Sequence, residues 1–227
     1  MKRSVYSLVL MDDVVREIDK AAYAMNTSRS NLINQILAEY VSCPTPEQRT
    51  KDIFEQITQL VQSADPRSHN FQIQQQASDA MFSMRSALRF KYNPTIKYSV
   101  ELYRGSEQVF GELRVSSRTQ SRQLIGYLND FYQRFAHLEL ECRKYYRNVS
   151  RQLEFAIEDG KFARKFLMPS SDTSLTNQQL GSAIAWYIQM FDKMINLYFE
   201  HLSVQSDPTR DMLQLYQNYL EKTPWII

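Results

Sequence analysis

The chain has 227 residues, a formal net charge of +2 and 43% apolar residues, which is typical of one large or two smaller globular domains. No segment approaches the roughly 18 apolar residues that a membrane helix needs, and two cysteines are too few for a disulfide framework. The five glycines argue against glycine-rich phosphate loops and against a turn-rich all-β fold. We therefore expect a cytoplasmic protein that does not contact a membrane.

The first ten residues, MKRSVYSLVL, predict a short β-strand without a neighbouring strand in sequence. The segment MDDVVREIDKAAYAM then predicts a first helix, and Asn26 stands where the chain must reverse. A second helix is predicted over 28–41, with Ser28 as its N-cap. Pro44 and Pro46 end this helix and provide the best domain boundary in the chain.

A strand, a helix, a tight turn and a helix within about 43 residues bury too little surface to fold alone. The simplest solution is a homodimer in which the two strands pair antiparallel across a two-fold axis. In such a ribbon Tyr6, Leu8 and Leu10 face the helices. The side chains that face outward are Val5, Ser7 and Val9.

Three motifs within residues 2–42 carry a family resemblance: the strand VYSLVL, the helix opening DDVVREID and the second-helix opening NTSRSNLI. With them the segment resembles the ribbon-helix-helix DNA-binding domain of the MetJ, Arc and CopG type. The resemblance implies a ribbon in the major groove that reads bases through Val5, Ser7 and Val9. It also implies that the start of the second helix holds DNA phosphate through Ser28, Arg29 and Ser30.

The segment departs from the family in two respects. Two of the three outward positions are valine, which can contact a thymine methyl group but cannot hydrogen-bond to a base edge. Residues 1–44 carry five basic and five acidic side chains, whereas DNA-binding domains are usually basic. Lys2 and Arg3 are then expected to add contacts at the ribbon ends. The alternative is a ribbon that only dimerises or contacts protein.

The remainder of the chain, 47–227, predicts a mainly helical domain for oligomerisation, sensing or partner binding. Apolar spacing predicts helices over 47–64, 70–90 and 208–221, and alternation predicts one β-hairpin near 96–116. Two series of apolar residues are spaced alternately four and three positions apart, and we call each of them a seam. The seams predict long helices that form either a helical bundle or an intermolecular coiled coil. The first seam comprises Leu124, Leu128, Phe131, Phe135, Leu138, Cys142, Tyr145 and Val149, and the second comprises Leu180, Ile184, Tyr187, Phe191, Met194, Tyr198 and His201.

The predicted fold class is therefore mainly α: a dimeric ribbon-helix-helix domain at 1–43, followed by a larger helical bundle domain with one β-hairpin. Within that larger domain, 81–122 is a basic window with eight basic and three acidic side chains. The window is either an ordinary solvated surface or a patch that faces phosphates or an acidic partner.

Motifs of enzymes and cofactor sites are missing from the sequence. It contains no Walker motif, GxGxxG, HExxH or paired CxxC. His137 and Glu141 have the spacing of a two-ligand metal clip, but we interpret them as a surface or groove histidine beside a carboxylate. We expect no enzyme activity, no cofactor and no metal.

These observations predict a sequence-specific DNA-binding protein, a dimeric repressor of transcription that binds double-stranded DNA as a homodimer or a dimer of dimers. Two alternatives remain open. The chain could be an accessory DNA-binding protein of plasmid partition or conjugation, with a protein partner at the C-terminal domain. It could also be a dimeric protein-interaction scaffold that does not bind DNA.

Overall fold

The structure is a computed structural model that describes residues 6–41, 45–63, 71–74, 80–103, 109–143, 153–168, 175–223 and 227. The fold is mixed α/β and has two compact units. We call Met1–Arg49 the N-terminal unit and Thr50–Ile227 the C-terminal unit. The predicted boundary runs over residues 42–46, of which 42–44 lie outside the described residues, and it stays a prediction.

The N-terminal unit contains a helical hairpin. Helix α1 spans Asp12–Ala24 and helix α2 spans Arg29–Tyr40, which confirms the two predicted helices. Asn26 takes a left-handed conformation with φ of 50°, which a short polar side chain tolerates, and this reverses the chain. Ser28 is the N-cap of α2, as predicted, because its hydroxyl accepts the backbone N–H of Asn31 at 3.2 Å.

The predicted N-terminal ribbon is wrong. Residues 6–11 form no strand, and their side chains are exposed. A strand needs a neighbour for its backbone hydrogen bonds, and none of the described segments pairs with these residues. The alternation of apolar side chains in this segment therefore does not correspond to a strand in the structure.

The C-terminal unit is built on one antiparallel sheet of six strands in the order β1-β2-β3-β4-β6-β5. The helices α3 to α6 span Pro46–Ser63, Arg122–Arg143, Asn177–Ser203 and Thr209–Lys222. The strands are Gln72–Ile73, Met81–Ala87, Thr95–Leu102, Val109–Ser117, Phe155–Glu158 and Lys161–Leu167.

The fold class predicted for this region, a helical bundle with one hairpin, is therefore wrong. The predicted hairpin exists as β3 and β4, but it is the middle of a larger sheet. In the described part of 70–90 the predicted helix is wrong, because β1 and β2 stand there, and Phe82, Met84 and Ser86 are buried on one face of β2. Short apolar runs fit both helical and strand periods, and here strand pairing decided between them.

The hydrophobic core lies between one face of the sheet and the helices. Phe191 of α5 is fully buried and its ring centre lies 5.2 Å from that of Phe162 on β6 and 6.2 Å from that of Tyr98 on β3. Phe135 of α4 lies 4.7 Å from Phe191 by the same measure. The apolar seams of α4 and α5 thus face the sheet, and the described helices form no coiled coil; Tyr145 and Val149 lie outside the described residues.

The close contact between α3 and α5 gives a first prediction. A Cβ atom at Gly181 would lie 2.8 Å from the backbone oxygen of Ile53 and 2.7 Å from the Cβ of Gln56, so Gly181→Ala forces the helices apart. We expect a loss of about 1–3 kcal/mol in the free energy of unfolding, measured by urea denaturation. Gly126→Ala is the matched control, because its Cβ meets nothing within 4 Å, and it should stabilise α4 by about 0.5–1 kcal/mol. Equal effects of the two substitutions would contradict the close approach.

Candidate nucleic-acid interface

The structure brings three of the predicted DNA-contact residues together and leaves the others apart or undescribed. Ser28, Arg29 and Ser30 form the exposed start of α2. Ser7 and Val9 are exposed in the irregular segment before α1. The remaining three predicted contacts lie outside the described residues and stay predictions: Lys2, Arg3 and Val5.

The start of α2 has the local properties of an anion-binding helix end. The first N–H groups of a helix have no partner within the helix, and the helix dipole makes this end positive. The Ser28 hydroxyl satisfies the N–H of Asn31. No acceptor among the described residues binds the N–H groups of Arg29 and Ser30. No acidic residue stands in the first turn of α2. A phosphate oxygen could therefore approach this end without meeting a carboxylate on the same turn.

One acidic residue of α1 does reach this end. The Arg29 guanidinium donates two hydrogen bonds to the Asp19 carboxylate, one of them from Nε to Oδ1 at 2.5 Å. This hydrogen bond lowers the pKa of the Asp19 carboxyl, and the same contact raises the pKa of Arg29. Both side chains are about half-exposed. Asp19 therefore stays ionised at neutral pH and competes with any anion for Arg29.

The hairpin also carries an unusual amount of exposed apolar surface. Ala22 and Leu32 are the only hydrophobic side chains buried among residues 6–41. An open groove of about 470 Å³ runs between α1 and α2, and its apolar lining is Val14, Ile18, Ala21, Leu32 and Ile36. Most large apolar side chains that are exposed among the described residues belong to this hairpin and the segment before it: Tyr6, Leu8, Val9, Leu10, Met11, Val14, Tyr23, Met25, Ile36, Leu37, Tyr40 and Val41.

The basic window of the sequence is dispersed over the C-terminal unit. Arg114 is paired with Glu101 and Glu112 at 3.1 Å and 2.7 Å. Arg89 reaches Glu200 at 3.2 Å. Arg85 and Lys97 instead stand opposite each other on β2 and β3, and Arg104 and Glu107 lie outside the described residues. Within the described part of the window, Arg114 and Arg89 therefore form surface ion pairs, whereas Arg85 and Lys97 have no ion-pair partner among the described residues.

Groups with the chemistry of catalysis or metal binding are sparse. The structure does bring one serine, one histidine and one aspartate together, since Nδ1 of His201 lies 2.7 Å from the Ser206 hydroxyl and Nε2 lies 3.0 Å from Asp211. These contacts join the end of α5 to the start of α6 on the surface. His137 is exposed on α4, and no group of three potential metal ligands occurs among the described residues. Within the same residues, no helix has the length and apolar character of a membrane span.

Comparison of the chain with protein-family models, curated proteins and solved structures finds no match. The resemblance of residues 2–42 to the ribbon-helix-helix family therefore rests on their residue pattern.

Proposed function

We propose that this chain is a dimeric DNA-binding protein that holds DNA phosphate at the start of α2. The observation that carries the proposal is the exposed first turn of α2, where Ser28, Arg29 and Ser30 surround the positive end of the helix. The role we propose is repression of transcription at a palindromic site, because a two-fold dimer presents two such helix ends to two half-sites.

Dimerisation is supported by the small core of the hairpin. Two buried hydrophobic side chains cannot offset the conformational entropy of about forty ordered residues. A second copy presents the same apolar groove and the same exposed side chains, so a symmetric contact buries both at once. We expect the N-terminal units to associate through Ile36, Leu37 and the other exposed apolar residues of the hairpin.

Phosphate binding is supported by the combination of backbone and side-chain donors at one place. Backbone N–H groups at a helix start and a neighbouring arginine are the donors that proteins commonly use for phosphate. Asp19 limits this site, because it pairs with Arg29 in the absence of DNA. Loss of the Asp19 carboxylate should therefore raise the affinity for DNA. If the ion pair only held α1 and α2 together, the affinity would not rise.

This gives the second prediction, tested on the full chain. Asp19→Asn should raise the affinity for duplex DNA by about three- to tenfold at low salt, since it frees Arg29 and removes a charge that repels phosphate. Arg29→Ala should lower the affinity and reduce the slope of log K against log[salt] by about 0.9, the value for one lost phosphate contact. Fluorescence anisotropy with a labelled duplex, selected from a random pool, measures both.

Lys20→Ala is the matched control, because Lys20 is an exposed cation of α1 that pairs with Glu17 on its own helix. It should change the salt slope less than Arg29→Ala. A loss of affinity for both Asp19→Asn and Arg29→Ala would assign the pair a structural role and contradict the phosphate site. The same selection with Ser7→Ala tests whether the N-terminal segment reads bases, because an unchanged consensus excludes that residue.

The two rival functions differ in measurable ways. An accessory protein of partition or conjugation would cover many tandem repeats in a footprint and would leave a reporter promoter unaffected. A scaffold would remain a dimer in sedimentation but would bind no duplex at low salt. Either result would overturn the proposed repressor, and the second would overturn DNA binding altogether.

A further inference from the structure

The second face of the sheet, which points away from the core, carries mostly polar and charged residues, although Met81 and Ala163 also lie on it. Along β3 the buried residues Ile96, Tyr98 and Val100 alternate with partly exposed Lys97, Ser99 and Glu101. The same alternation holds on β4 and β6. We call this surface the open face.

Charge on the open face is divided between its two ends. One end holds an ion-paired network, in which Arg114 binds Glu101 and Glu112 and Lys165 binds Glu154. The Tyr103 hydroxyl also donates to Glu112 at 2.6 Å. Every basic side chain in this network has an acidic partner. This end therefore has little attraction for an anion.

The other end, which we call the cationic end, lies where β2 finishes and β3 begins. Arg85 stands directly opposite Lys97, with Gln72 on the far side of Arg85 and Ser116 on the far side of Lys97. Neither side chain has an ion-pair partner among the described residues. Like charges placed directly opposite on neighbouring strands destabilise a sheet, so the fold gains nothing from this pair.

Further basic residues extend the cationic end across the sheet. Lys161 is the first residue of β6. Its neighbour Phe162 pairs with Val115 of β4, so Lys161 lies at the same end of the sheet as Ser116. Arg118 follows β4 directly and is exposed. One acidic residue, Glu158, stands opposite Lys161 at the edge strand. With strands about 4.8 Å apart, the row from β2 to β6 spans roughly 14 Å and crosses the strands.

We infer that the cationic end of the open face binds the phosphate backbone of DNA through Arg85 and Lys97. This deepens the proposed function and rests on it, because it gives the C-terminal unit its own contact with the same DNA. A sugar–phosphate backbone carries its charges in a regular row, which matches a row of cations across several strands. The register positions of this row, from Gln72 to Ser116, hold cations and polar side chains but no aromatic ring, which favours contact with backbone phosphate over stacking on bases.

The experiment uses the full chain and a fluorescein-labelled duplex at several salt concentrations. Arg85→Gln with Lys97→Gln should lower the affinity and reduce the slope of log K against log[salt] by about 1.8, which is about 0.9 for each of two lost contacts. The double variant should melt at the same temperature as the native chain or higher, because it removes a repulsion. Arg210→Gln with Lys222→Gln is the matched control, since both are exposed on α6 and the net charge changes equally.

Each outcome separates this inference from the proposed function. An unchanged slope for the Arg85 and Lys97 double variant, with a reduced slope for Arg29→Ala, overturns the inference and leaves the α2 site intact. A reduced slope for the double variant alone supports the cationic end and overturns the α2 site. A native chain that binds polyglutamate but no duplex overturns both, and equal effects of the double variant and its α6 control overturn the inference as a general charge effect.

Discussion

Arg164→Met is expected to lower the free energy of unfolding by about 3–5 kcal/mol, because it leaves a buried carboxylate without its cation. Arg164 of β6 and Glu139 of α4 are both fully buried, and Nη2 of Arg164 lies 2.7 Å from Oε1 of Glu139. The Tyr187 hydroxyl donates to Oε2 of the same carboxylate at 2.8 Å. Burial alone would lower the pKa of the Arg164 guanidinium, but the Glu139 charge raises it, so the guanidinium keeps its charge.

The guanidinium also joins other parts of the C-terminal unit. Its carbon lies 4.5 Å from the ring centre of Tyr187 on α5, and Nη2 donates to the backbone oxygen of Ile227. Loss of Arg164 should therefore loosen the contacts of β6 with α4 and α5 and the docking of residue 227. Urea denaturation followed by circular dichroism measures the loss.

A double-mutant cycle separates the ion pair from simple packing. Glu139→Leu with Arg164→Met should be markedly more stable than Arg164→Met alone, because no uncompensated charge remains buried. Lys165→Met is the control on the neighbouring residue, where the pair with Glu154 is exposed, and it should change stability by less than about 1 kcal/mol. If Arg164→Met also lowered the free energy of unfolding by less than about 1 kcal/mol, water would have to reach the pair, and this would contradict its burial.

Phe191→Ala should have an effect of similar size, about 3–5 kcal/mol, through a cavity in the centre of the core. The Phe191 ring is fully buried and its centre lies 4.7–6.5 Å from those of six other aromatic rings. These rings belong to two strands and two helices: Tyr98, Phe131, Tyr132, Phe135, Phe162 and Tyr187. No single element can move to fill the space, because each is held by its own neighbours.

The control for this cavity is Phe155→Ala on the edge strand β5. Phe155 is partly exposed and contacts Phe162 at a ring-centre distance of 5.8 Å, so its removal should cost clearly less than removal of Phe191. Phe191→Leu should recover most of the loss, since it refills much of the volume. A Phe191→Ala variant as stable as Phe155→Ala would show that the core collapses around the site.

The sheet illustrates how far local patterns reach. The hairpin of β3 and β4 follows from alternation alone, but β5 and β6 were not predicted, although their turn carries a usable signal. Asp159 and Gly160 both have positive φ, 46° and 70°, which is the conformation that Asp-Gly favours in a two-residue hairpin. The neighbouring 4,3 seams were assigned to helices that pack on each other, because a seam does not identify the surface that it covers.

The candidate site shows the same division. The Ser28 cap and the exposed position of Arg29 follow from local sequence, since a serine before an amphipathic segment starts a helix through its own hydroxyl. The Asp19 partner of Arg29 is ten residues away and depends on how the hairpin closes. The position of Arg85 opposite Lys97 depends on the register between β2 and β3, which no local motif predicts.

By itself the sequence determined the helical hairpin of the N-terminal unit, the four later helices to within a few residues, and the strands β3 and β4. These features depend on caps, turns and periodicity within one segment. Only the tertiary structure decided that six strands form one sheet, that Arg164 is buried beside Glu139, and that Arg85 stands opposite Lys97 at one end of the open face. Strand pairing and burial join residues distant in sequence, so their energies are set by partners that a local pattern does not contain.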